Sequence, residues 1–187
     1  MDDEIRSGGE IGIETRGLSK LIRGYAIVFD RLSENLGGFV ERIAPEAVDR
    51  TISERVDLRA LVDHDASKIL GRLTAGTLRI AKDARGLRVE IDPPETTIGL
   101  DIVESVRRRD VTGMSFAFRT VKDGWDESTD PPTRTVSDMI IREVSVVSFP
   151  AYPQTDVALR SLALRGGPRR PAQSVSERLA ASARRRF

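Results

Sequence analysis

Apolar and polar positions alternate in short runs along most of the chain. Such runs over Leu21–Phe29, Val56–Val62, Leu70–Ile80, Leu87–Ile91, Met114–Val121, Thr133–Val136 and Met139–Phe149 predict strands, because alternation puts every second side chain on one face of a sheet. Two segments carry helix signals instead. Pro45-Glu46-Ala47-Val48-Asp49-Arg50 places proline and an acid in a first turn, and Thr97 can cap a longer stretch to Arg109 in which Ile98, Ile102 and Val106 share a face. Many short strands around two helices predict a β-rich α+β domain, a small closed or partly closed β-barrel flanked by two or more helices. Asp123–Pro132 reads as a surface excursion between two strands.

The ends read differently from the middle. Residues 1–17 carry few large apolar side chains and a Ser7-Gly8-Gly9 break, which predicts a flexible leader that the fold can do without. The ordered domain is expected over 18–164. Beyond it, Gly166-Gly167-Pro168 and Pro171 interrupt any regular element, and a basic, disordered tail is expected over 165–187.

Composition narrows the chemistry. The 187 residues and 39% hydrophobic content suit one globular core. No run approaches the roughly 20 apolar residues that cross a bilayer, and the Met1-Asp2-Asp3-Glu4 start is acidic where a signal peptide is basic, so a cytosolic protein is expected. A chain without cysteine has no disulfide, no Cys-ligated zinc and no thiol nucleophile. The net charge of +1 divides into +6 over residues 165–187 and −5 over residues 1–164. A basic tail thus follows an acidic body.

His64 is the only histidine, so a histidine-dependent mechanism has one candidate base. It lies where the apolar run Ala60-Leu61-Val62 gives way to Asp63-His64-Asp65. A surface or structural histidine is the plainer reading. In extended backbone, Asp63 and Asp65 would face away from the ring, which also weakens a metal reading of the cluster. Ser115 follows Gly113, and alternation sends Met114, Phe116 and Phe118 to one face while Ser115 and Ala117 take the other. Without a base this is an ordinary strand serine; with His64 in reach it becomes a nucleophile. Glu143 is the one acid in the strongly β-forming run Met139–Phe149. Such a carboxylate either pairs with an arginine or orients a histidine.

Taken together, six segments resemble the HK97-type caudovirus prohead protease family over about residues 20–160: Gly24–Phe29, Gly38–Pro45, Val62–Asp65, Gly71–Leu73, Gly113–Phe118 and Glu143–Tyr152. The resemblance implies a fold similar to herpesvirus assembly proteases, with histidine before serine and the third triad member on a later strand. It therefore implies His64 as base, Ser115 as nucleophile and Glu143 as the orienting acid, with Asp63 or Asp65 in reserve. Herpesvirus enzymes use a second histidine in that third place, which this chain lacks, and an arginine-bearing loop for the oxyanion, whereas Pro150–Thr155 has no arginine. No cofactor or metal is implied. The implied role is a serine endopeptidase that cuts the major capsid protein or its scaffolding segment, and in some cases itself, inside the immature capsid in the host cytoplasm. Self-association is compatible with that role, and a membrane partner is not expected. Two alternatives remain at this point: an inactive protease-like assembly component, and a small nucleic-acid-binding barrel using the Arg-rich tail. The acidic body and the inward-facing Phe116 and Phe118 disfavour the second.

Overall fold

The computed structural model of the chain describes residues 3–16 and 19–149. Within them nine strands form one strongly bent sheet: β1 Glu4–Arg16, β2 Ser19–Val28, β3 Val40–Ile43, β4 Arg59–Val62, β5 Asp65–Arg72, β6 Leu78–Lys82, β7 Gly86–Ile91, β8 Gly113–Asp126 and β9 Thr133–Val147. Their order is β5-β4-β9-β8-β1-β2-β7-β6, with β3 also beside β9. The ladders are antiparallel except where β3 and β4 run parallel to β9. The two ends of this path, β5 and β6, are joined by the turn at residues 73–77, where Arg72 N–H donates to Thr77 Oγ1 at 3.0 Å. The result is a partly closed barrel, in agreement with the α+β expectation.

The curled sheet encloses a core that includes Ile22, Ile27, Leu58, Leu78, Leu87, Ile91, Met114, Phe116, Phe118 and Met139, all fully buried. Phe116 and Phe118 stack with ring centroids 5.3 Å apart, so the face opposite Ser115 is anchored and offers no platform for nucleic-acid bases. One flank is capped by a 3-10 turn, Pro45–Val48, that runs into the short helix α1, Asp49–Ser53. The longer helix α2, Thr97–Arg108, lays Gly99, Ile102, Val103 and Val106 against the core. Its N-cap is Thr96 rather than Thr97, the Thr96 hydroxyl accepting from Gly99 N–H, and Ile98 is half exposed.

The leader expected over residues 1–17 is corrected by β1. Residues 4–7 pair with β8 and residues 11–16 with β2, and the register shifts between Ser7 and Glu10. A Cβ on Gly8 would lie 2.3 Å from the Ala26 carbonyl oxygen, so the Ser7-Gly8-Gly9 segment is where the strand swings from one neighbour to the other. Ladder bonds and buried ion pairs hold this strand where apolar side chains are few. Three smaller differences share one cause, the pull of neighbouring strands on local pattern. Leu70–Ile80 divides into β5 and β6, Thr133–Val136 and Met139–Phe149 merge into β9, and Val40–Ile43 pairs as an unpredicted strand. The basic stretch 165–187 lies outside the described residues, as does the Pro150–Thr155 loop. Among the described residues no helix is long and apolar enough to cross a membrane.

Candidate active site

The site is assembled from three neighbouring parts of one sheet. Strand β4 runs parallel to β9, with Leu61 beside Ser145 and Val62 beside Val146. Val62 then pairs with Asp65 across a hairpin, leaving Asp63 and His64 as its two loop residues, at φ 49° and 61°. Two successive left-handed residues define a type I′ turn, whose twist matches the flanking strands. Glycine is usual there, so a histidine in this conformation must be held by its surroundings. Four hydrogen bonds hold the turn. Asp63 N–H donates to the Val146 carbonyl at 3.0 Å, the Asp63 carboxylate accepts from Ser148 N–H at 2.8 Å and Ser148 Oγ at 3.2 Å, and His64 N–H donates to Ser145 Oγ at 3.2 Å.

This turn breaks the alternation on which the sequence placed Asp63 and Asp65, yet neither acid reaches the imidazole. Asp63 is engaged with Ser148. Asp65 accepts from Ser67 Oγ and Ser67 N–H, bonds that, with Lys68 nearby, draw its carboxyl down to about 2.

Strand β8 brings Ser115 directly opposite Ser145 of β9 and Ser7 of β1. Glu143 stands two residues before Ser145, on the same face. The His64 ring lies between them, with Nε2 2.9 Å from Ser115 Oγ and Nδ1 hydrogen-bonded to Glu143 Oε1. A carboxylate only accepts, so Nδ1 carries the proton of that bond and Nε2 presents a lone pair to the serine. The second carboxylate oxygen, Oε2, accepts from Ser145 Oγ at 2.5 Å. Among the described residues Glu143 is hydrogen-bonded by His64 and Ser145 and not by an arginine: Arg59 pairs with Asp57, and Arg142 with Asp3.

Burial grades across the group. Ser115 is fully buried, the Glu143 side chain is 13% exposed and that of His64 24%, so the imidazole is the most accessible of the three and the carboxylate lies deeper. The Ser115 hydroxyl has a second acceptor, the Arg6 carbonyl of β1 at 2.8 Å. A single hydroxyl hydrogen thus has two acceptors, and the position toward Nε2 is the one from which it can be transferred. Among the described residues no group of three or more His, Cys, Asp or Glu side chains is placed to hold a metal ion.

The structure brings together His64, Ser115 and Glu143, the three residues taken from the sequence. Two participants went unnoticed there: Ser145 and the main chain of Arg6. The Glu143-x-Ser145 spacing puts both side chains on one face of a strand and could have revealed the first. Nothing local in the sequence points to the second.

The sequence of residues 10–166 matches the family described as Caudovirus prohead serine protease. No curated protein sequence matches the chain at a significant level. Among solved structures the fold is similar to that of the bacteriophage T4 capsid assembly protease, with a TM-score of 0.57, 9% sequence identity, and coverage of 78% of this chain and 97% of the T4 chain.

Proposed function

Since the chain belongs to the caudovirus prohead serine protease family, we propose that Ser115, His64 and Glu143 form the catalytic triad of a serine endopeptidase, which processes capsid or scaffold protein during prohead maturation. The observation that carries the assignment is the His64 ring, with Nδ1 on Glu143 and Nε2 2.9 Å from Ser115 Oγ. In the first step Ser115 Oγ bonds to the scissile carbonyl carbon while His64 Nε2 takes the hydroxyl proton. The imidazolium, stabilised by Glu143, returns that proton to the amine as the C–N bond breaks. Water, deprotonated by the same nitrogen, then releases the acyl group and restores the serine.

The substrate proposed for this chain is the major capsid protein with its scaffolding segment, cut inside the immature capsid, and the T4 relative of similar fold is itself a capsid assembly protease. The test couples two readouts. Wild-type protein should be labelled at Ser115 by a fluorophosphonate and should shorten co-expressed capsid protein, and both should be lost in Ser115→Ala and His64→Ala. Labelling at another residue, or full processing by Ser115→Ala, would overturn the triad.

A further inference from the structure

The triad proposed above leaves one buried polar side chain at the site without a part. Ser145 is fully buried, directly across the β8–β9 ladder from Ser115. Its hydroxyl makes two bonds of opposite sense. Oγ–H donates to Glu143 Oε2 at 2.5 Å, and Oγ accepts the backbone N–H of His64 at 3.2 Å. We propose that Ser145 is a positioning residue of the active site, which fixes the rotation of the Glu143 carboxylate and the seat of His64 through a single hydroxyl. This inference rests on the triad reading.

Glu143 presents two oxygens: Oε1 takes the imidazole Nδ1–H and Oε2 takes Ser145. A carboxylate with a donor on each oxygen cannot turn about its terminal bond without losing one of them. With Oε2 left unanswered in a shielded site, the group would rotate or recruit water, and Oε1 would leave the line of Nδ1. The second bond acts on the base itself. His64 sits in left-handed backbone in a two-residue loop, and its own N–H has Ser145 Oγ as partner. The same atom therefore ties the main chain of the base to the acid that orients its ring. The neighbouring Asp63–Ser148 pair anchors the first loop residue in the same way, but it touches neither ring nor carboxylate.

Ser145 makes no hydrogen bond to Ser115 Oγ through which to act directly, so its removal should lower the rate of reaction and leave binding alone. The probe is a fluorophosphonate, whose first-order labelling rate and half-saturating concentration are read separately and need no knowledge of the cleavage sequence. Ser145→Ala should slow the labelling rate roughly tenfold to a hundredfold, the range expected when a catalytic group is slightly misplaced, with the half-saturating concentration nearly unchanged. Ser145→Thr, which keeps the hydroxyl, should recover most of the rate. Ser145→Cys fills the same space with a weak donor and should behave as Ala does, which covers the case of an Ala variant that does not fold. A spectroscopic signature separates positioning from general loosening. His64 is the only histidine, so the low-field proton of its Nδ1–H bond to Glu143 is a single resonance. It should move upfield or broaden by exchange in Ser145→Ala and Ser145→Cys and persist in Ser145→Thr.

Wild-type labelling and an unchanged resonance in both Ala and Cys variants, with Ser115→Ala unlabelled, would overturn the positioning role and leave the triad standing. Labelling that survives Ser115→Ala would overturn the triad and this inference with it.

Discussion

Two buried polar groups occupy opposite faces of the same strands, and they obey different rules. On one face lie Ser115, Glu143 and Ser145 under His64. On the other, beside Phe116 and Phe118, the side chains of Glu4 and Arg6 meet Glu41 of β3 and Arg134 of β9. In this ion cluster every charge is answered. Arg6 donates to Glu4 and to both oxygens of Glu41, Arg134 donates to Glu4, Glu41 and Asp123, and Thr120 Oγ1 adds a bond to Glu4 at 2.6 Å. Two arginines face two buried glutamates and the more exposed Asp123, and every cation is tied to carboxylates on more than one element. The site on the other face contains one carboxylate, one imidazole and hydroxyls, linked so that the Ser115 proton can move to His64 Nε2 while Glu143 holds the ring. Arg6 joins the two, its side chain in the ion cluster and its carbonyl on Ser115 Oγ. Closed compensation serves architecture; a chain with one movable proton serves chemistry.

The sharpest way to test the contrast is to remove one member from each face. On the face of the proposed triad, Ser115→Ala or His64→Ala should abolish hydrolysis, a loss on the order of a millionfold, with the thermal midpoint close to wild type. Glu143→Gln should cost less and still on the order of a thousandfold, because the ring loses its tautomer control and the imidazolium its counter-charge. A Ser115→Ala variant that unfolded would show that the site is architectural after all. On the ionic face, Arg134→Met should cost about 3–5 kcal/mol in denaturant unfolding, since it leaves Glu4 and Glu41 sharing one arginine in a buried place. That is a large part of the ~5–15 kcal/mol that holds an ordinary domain together. A change within experimental error would mean that water already compensates the cluster.

The same contrast explains what could be read from the sequence. The residues of the proposed triad stood out by chemistry and alternation: a lone histidine, a serine on the small face of an aromatic-anchored strand, and one acid in an apolar strand. Their meeting depends on strand pairing, which no local pattern encodes, and the type I′ turn at Asp63-His64 lacks the glycine that usually announces it. The ionic face was invisible. Glu4 and Arg6 read as solvated leader residues because their partners Arg134 and Glu41 lie 130 and 35 positions away, respectively. Even so, Glu10-Ile11-Gly12-Ile13-Glu14 alternates with period two, which is a strand signal once the Gly8-Gly9 break before it is set aside.

Acid should weaken the ionic face. Burial by itself would raise the Glu4 carboxyl, but hydrogen bonds from Arg134 and Thr120 and the charges of Arg134 and Arg6 outweigh it and hold the group below its usual range. A depressed carboxyl contributes stability that is complete above the unfolded-state value of about 4.3 and is lost as pH falls through the folded value. Unfolding free energy measured in denaturant should therefore decline as pH drops below about 5. A flat profile would place the stabilising charge elsewhere.

Thr120→Val gives the smallest effect and the finest test. Thr120 Oγ1 donates to Glu4 Oε1 and accepts from Arg134 at 2.9 Å, and it takes no part in the site on the other face. The substitution keeps the shape and removes both bonds, which should cost about 1–3 kcal/mol near neutral pH and leave fluorophosphonate labelling of Ser115 close to wild type. Its pH dependence follows from its role. The Thr120 hydroxyl is one of the groups that depress the Glu4 carboxyl, so without it that carboxyl lies higher in the folded state and contributes less stability at neutral pH. Once Glu4 is protonated, the part of the deficit that acts through its charge disappears. The gap between wild type and Thr120→Val should then narrow as acid is added, whereas a hydroxyl that merely filled space would leave the gap constant. A constant gap would mean that Glu4 owes its ionised state to the arginines alone, and that the ionic face is held by two cations without help from its neutral neighbour.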